Sequence, residues 1–110
     1  MFGTGPGYVT FESHLEKLKE PVRPIMVDLR KFVISLGSNV IEEVRPHRII
    51  YSKTMSFRTF LDIEPTTTGD SLMLSIRYGR GTTPVSLMIV TIEDVERAKK
   101  QIAEAYQKIK

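Results

Sequence analysis

Two histidines, His14 and His47, and the adjacent carboxylates Glu42 and Glu43 are the residues of this chain whose types suit metal or acid–base chemistry. A zinc or non-haem iron site needs more protein ligands than the one histidine and one glutamate that pairing across Pro46 would bring together. No metal site is expected, and His47 reads as a surface histidine. Glu42 and Glu43 are neighbours in a stretch of twofold alternation, so their side chains point to opposite faces and do not form a hydrolytic pair. A nucleophilic Ser or Thr would need a base held by a third group, and neither histidine lies near a strand-to-helix elbow. The chain has no cysteine, which removes disulfides, Cys-ligated zinc, iron–sulfur clusters and thiol catalysis. These patterns predict no catalytic residue and no cofactor.

A second kind of chemistry is anion binding. Residues 44–60, VRPHRIIYSKTMSFRTF, carry Arg45, His47, Arg48, Lys53 and Arg58, with Tyr51, Phe57 and Phe60 interleaved and no acid. The net charge of +3 over 110 residues looks unremarkable until it is divided along the chain. Residues 44–92 hold six basic groups (Arg45, Arg48, Lys53, Arg58, Arg77, Arg80) against three acids (Asp62, Glu64, Asp70), and the rest of the chain is balanced at ten of each. The whole positive excess lies in the middle segment.

Periodicity gives the elements that must carry these groups. The leader GTGPG has little side chain to repay an ordered backbone, so residues 1–10 read as a flexible arm ahead of one domain over 11–110. A short helix is predicted from about Phe11 to Lys19, with Ser13 and Glu16 at capping-box spacing. In the next segment Val22, Ile25, Met26, Leu29, Phe32, Val33 and Leu36 recur at helical intervals, with Pro21 and Pro24 near the start and Gly37 past the end. The period then becomes twofold, predicting strands over 39–45, 47–53, 55–64, 71–78 and 84–91, broken at Pro46, 65–70 and 79–84. Links this short favour antiparallel pairing. Thr91 with Asp94 opens a last helix whose stripe is Ile92, Val95, Ala98, Ile102, Ala105 or Tyr106, and Ile109.

The expected fold class is therefore α+β, a two-layer sandwich of about five antiparallel strands with helices on one face, in the order ααβββββα. With EEV (42–44), IIYSK (49–53) and FLDIEP (60–65) following a helix that ends ISLG (34–37), the chain resembles a family of small prokaryotic α+β domains, uncharacterised and sometimes labelled predicted transport proteins. The resemblance spans roughly residues 12–108 and implies the same fold; it brings no established reaction, and similar domains occur beside nuclease-like modules. Here the spacing from Tyr51 to Phe60 is longer than that family's, and Pro46–His47 interrupts a stretch usually rich in lysine.

Function then rests on the sheet face turned away from the helices. Alternation from Leu61 and Ile63 inward sends Arg58, Phe60 and Asp62 outward, beside Met73, Arg77, Met88 and Val90. Such a mixture has the composition of a protein interface. The chain accordingly reads as a non-catalytic interaction or self-association module whose surface is Arg58, Phe60, Met73, Arg77, Met88 and Val90, with a protein partner or a homo-oligomer as the expected company. An alternative is single-stranded nucleic acid held by Arg45, Arg48, Lys53, Arg58, Arg77 and Arg80, with Phe60 or Tyr51 as the stacking aromatic. A small ligand between helices and sheet is another. The plainest competitor makes Tyr51 and Phe57 core and the arginines solubilising. No apolar run approaches a membrane span and no signal peptide is read, so a cytoplasmic protein is expected.

Overall fold

Two of the three helices, the first and the last, begin at a threonine that caps them, whereas the second begins after Pro21 with no side-chain cap. The computed structural model describes residues 9–54, 58–79 and 81–109, and its elements run α1 (Phe11–Glu16), α2 (Val22–Ser35), β1 (Val40–Val44), β2 (Ile49–Lys53), β3 (Thr59–Pro65), β4 (Leu72–Ile76), β5 (Val85–Ile89) and α3 (Ile92–Lys108). Helix α1 is capped by Thr10, not by the expected Ser13–Glu16 pair: Thr10 is extended, its hydroxyl accepts from the Ser13 N–H, and the Ser13 hydroxyl answers from the Thr10 N–H, both at 3.0 Å. The box thus opens three residues earlier than the spacing suggested. At α3 the Thr91–Asp94 box forms as expected, with Asp94 accepting from the Thr91 N–H at 3.0 Å and from the Val90 N–H at 2.9 Å. Those two backbone bonds, Val90 first, hold the Asp94 carboxyl below the usual carboxylate range.

The five strands form an antiparallel meander in the order β1-β2-β3-β4-β5, which leaves β1 and β5 as edges. Their inward residues, among them Ile49, Tyr51, Leu61, Ile63, Leu72, Leu74, Ile76 and Ile89, join Leu29, Val33, Val95, Ala98 and Ile102 of the helices in one apolar core. Helix α3 lies along β3, β4 and β5, with α2 packed beside it and α1 on α2. The α+β order ααβββββα is the one the periodicity predicts. β1, β4 and β5 begin and end one or two residues inside the expected limits, β2 begins two residues late and ends at the expected Lys53, and β3 runs one residue past its expected end to Pro65; the expected start of the third strand, residues 55–57, lies outside the described residues, as do residues 1–8 of the leader. Among the described residues no helix is long and apolar enough to cross a membrane.

One departure from regular pairing governs the site. Tyr51 stands opposite Leu61, but Ser52 stands opposite Thr59, so Phe60 is an extra residue on β3. A bulge of this kind interrupts the inside–outside alternation of its strand. Thr59 shares a side with Ser52, their hydroxyl oxygens 3.3 Å apart, and Phe60 turns in against Tyr106 of α3, edge to face with ring centroids 5.4 Å apart. The Gly69 turn ties the far end of the sheet to the α1–α2 junction through a 2.7 Å bond from the Lys19 N–H to the Gly69 carbonyl.

Candidate functional site: an arginine-lined concavity on the open sheet face

The register places the outer-face residues in rows that cross the strands. Glu43, Ile50, Asp62, Ser75 and Ser86 form one row. Glu64, Met73 and Met88 form the next, towards the end of the sheet that carries Arg48. Towards the other end, the Arg77 N–H donates to the Phe60 carbonyl at 2.9 Å, which puts Arg77 beside the bulge. The charged groups therefore gather over β2, β3 and the start of the β4–β5 hairpin, whereas Met73, Met88 and Val90 lie over β4 and β5.

Among the charged groups the surface is hollowed. A concavity of about 440 Å³ is lined by Arg48, Ile50, Arg58, Thr59, Asp62, Arg77, Gly79, Gly81, Thr82 and Ile109. Among the described residues, three guanidinium groups thus converge on a lining whose one side-chain carboxylate is Asp62. Asp62 is buried, 6% exposed, and lies 3.9 Å from the Arg48 guanidinium and 3.8 Å from that of Arg77. Arg48 also reaches Glu64, at 3.9 Å. These distances exceed those of charge-assisted hydrogen bonds, so Asp62 positions Arg48 and Arg77 electrostatically without consuming their N–H donors. Both side chains stay close to half exposed.

Some residues of the sequence-based sets come together here and others do not. Arg48, Arg58 and Arg77 meet at the concavity, and Met73 and Met88 are direct cross-strand partners, with Met88 48% and Val90 42% exposed. Phe60 does not belong to the open face: it is fully buried, because the bulge reverses its direction. Tyr51 is likewise buried among core side chains and is not a stacking platform. Lys53 sits on the helix side, where its ammonium donates to the Ile109 carbonyl and lies 4.3 Å from the Tyr106 ring centroid. Its place follows from twofold alternation, which puts Ile49, Tyr51 and Lys53 on one side. Arg45 pairs with Glu43 at the exposed margin of β1, 2.7 Å away and apart from the concavity. Arg80 and Phe57 lie outside the described residues.

The histidines have separate surroundings. His14 is buried and its Nε2 is 2.8 Å from the Arg45 carbonyl, joining α1 to the β1–β2 turn, whereas His47 is exposed. Among the described residues no three His, Asp or Glu side chains gather as cation ligands. Glu42 and Glu43 point to opposite sides, as expected. Glu42 turns in, where Arg30 donates to both its oxygens at 2.8 and 2.9 Å and the Tyr51 hydroxyl donates at 2.7 Å. Burial pushes the Glu42 carboxyl up, but the Arg30 and Tyr51 hydrogen bonds and the Arg30 charge outweigh it and hold the group below its ordinary value. Burial, then the bond to Glu42, raises the Tyr51 phenol.

Sequence reasoning missed this Arg30–Glu42–Tyr51 cluster and the central place of Asp62. The available signal for both was alternation: Glu42 shares the parity of Val40 and Val44, and Asp62 is the outward residue between Leu61 and Ile63. For a small ligand, the apolar groove between the starts of α2 and α3, about 430 Å³ and lined by Pro21, Pro24, Ile25 and Ile92, lies between helices and not between helices and sheet. Comparison of the chain with protein-family models, with curated proteins and with solved structures finds no match.

Proposed function

We propose that the chain is a non-catalytic binding module that docks an acidic segment of a protein partner on its open sheet face. The observation that carries this reading is the convergence of Arg48, Arg58 and Arg77 on one concavity whose lining, among the described residues, holds a single side-chain carboxylate. Planar guanidinium groups hold carboxylates through paired N–H donors, and a hollow surface lets several act on one chain segment. Met73, Met88 and Val90 lie alongside, so a segment alternating acidic and apolar residues would find a basic hollow and a greasy shelf in register. The family resemblance is part of the same proposal and brings no reaction with it. A cytoplasmic location belongs to it as well, in keeping with a small domain that uses no cysteine.

Single-stranded nucleic acid is favoured by the same arginines but loses the other half of its support. Sequence-tolerant binding of single strands needs exposed aromatic faces, and Tyr51 and Phe60 are both in the core.

Fluorescence anisotropy with a labelled peptide of alternating Glu and Leu, set against a labelled oligonucleotide of similar length, tests the proposal. Peptide affinity should fall as salt rises and should drop about tenfold or more in Arg48→Glu and Arg77→Glu. Peptide binding that ignores both variants, or no binding at low salt, refutes it. Tighter binding of the oligonucleotide, lost in the same variants, transfers the site to nucleic acid.

A further inference from the structure

The two edges of the sheet are built differently. Edge strands offer unpaired backbone groups to other strands, and proteins block this with inward-pointing charges, charged side chains, proline or bulges. Strand β1 carries such blocks: Glu42 points inward into its bonds with Arg30 and Tyr51, and the exposed Glu43 is paired to Arg45. Strand β5, Val-Ser-Leu-Met-Ile, carries none of them along its length. It has no charge and no proline, its pairing with β4 is regular, and β4 is its one strand neighbour among the described residues.

We infer that β5 is a self-association edge, on which a second copy of this chain pairs antiparallel about a twofold axis through Leu87 and continues the sheet to ten strands. Three observations choose a second copy as the occupant. A dyad through the middle residue of a five-residue strand pairs the full length of β5 with itself. It sets Val85 against Ile89 and Ser86 against Met88, so the half-exposed Met88 is met by a small hydroxyl residue and not by another methionine. The helix-side margin of the edge, where Leu87, Met88 and Ile89 meet α3, is lined by Asp94, Arg97 and Gln101. One acid, one base and one amide present no field of a single sign to repel an identical copy. The arginine concavity runs from β2 and β3 to the β4–β5 hairpin at Gly79, Gly81 and Thr82, and no residue of Val85–Ile89 lines it, so each copy keeps its arginine hollow and the dimer displays two. This inference is independent of what that face binds.

The absence of cysteine from the chain makes a crosslinking test clean. At a dyad the two Leu87 Cα atoms fall in the range of about 4.5–5.5 Å between paired strands, which a disulfide spans. Leu87→Cys should convert to a covalent dimer on mild oxidation, whereas Glu43→Cys on the opposite edge should stay monomeric under the same conditions. By sedimentation velocity the unmodified chain should reach twice the 12.5 kDa monomer mass as concentration rises. Ser86→Lys, which places like charges beside the axis on an exposed position, should return it to monomer with an unchanged far-ultraviolet circular dichroism spectrum. Arg77→Glu should leave the dimer intact, which separates this test from that of the open face. A strict monomer at every concentration, equal crosslinking of the two cysteine variants, or a Ser86→Lys protein that still dimerises would overturn the inference.

Discussion

Replacing Glu42 with leucine should be among the most damaging single changes on the sheet, and its cost can be worked from three bonds. The carboxylate accepts two hydrogen bonds from Arg30 and one from Tyr51. Removing one partner of a buried ion pair costs roughly 3–5 kcal/mol. The Arg30 side chain is 34% exposed and can turn towards water, which brings its share to about 1–2 kcal/mol on solvent screening. Tyr51 has no such escape: it is fully buried, and an orphaned buried hydroxyl costs about 1–3 kcal/mol. A total of about 3 kcal/mol lowers the Tm of a domain this size by about 12 °C. Urea unfolding is the direct assay, and the double variant Arg30→Met/Glu42→Leu supplies the control, since replacing both partners with apolar groups removes the stranded charge. The double variant should be more stable than the sum of the two single losses by about 1 kcal/mol or more. Acid titration adds a sign. The folded Glu42 carboxyl lies below its ordinary 4.5, so its contribution is complete above that pH and is lost as pH falls through the folded value. Glu42→Leu should lack this part of the acid limb. A loss below about 1 kcal/mol, or strict additivity in the double variant, refutes the reasoning.

Phe60→Ala should cost about 3–5 kcal/mol, the range for emptying a buried aromatic position, whereas a side chain on the open face would cost little; chemical denaturation separates the two. Gly69 has φ of +77° and a Cβ there would fall on the Lys17 carbonyl, which is backbone and cannot swing aside. Gly69→Ala should therefore destabilise by about 1–3 kcal/mol, read by thermal unfolding, and a neutral result would mean the turn is not fixed against the α1–α2 junction.

The architecture was legible because each element is locally consistent: helical intervals in α2 and α3, twofold alternation in β4, and short breaks that force antiparallel return. The outer face was legible where pairing is regular, as at Met73 and Met88. It failed at Phe60 because a bulge shifts one residue between faces without altering composition, and alternation counted from Leu61 carries the error straight onto that residue. Lys53 was misplaced for a different reason. A basic residue was grouped by charge with Arg48 and Arg58, although its parity with Ile49 and Tyr51 already put it on the helix side. The Arg30–Glu42 pair joins residues twelve apart on different elements, and the convergence of Arg48, Arg58 and Arg77 depends on cross-strand register. Neither kind of long-range contact leaves a local pattern in a single sequence.

Backbone amide NMR, with the Glu/Leu peptide titrated into the labelled protein, puts the open-face site to its most direct test. The account predicts progressive shifts at Arg48, Ile50, Arg58, Thr59, Asp62 and Arg77, fading in Arg77→Glu, with the helical side unmoved. Shifts confined to the Pro21–Ile25 and Ile92 groove, or a spectrum that the peptide leaves unchanged, would contradict it.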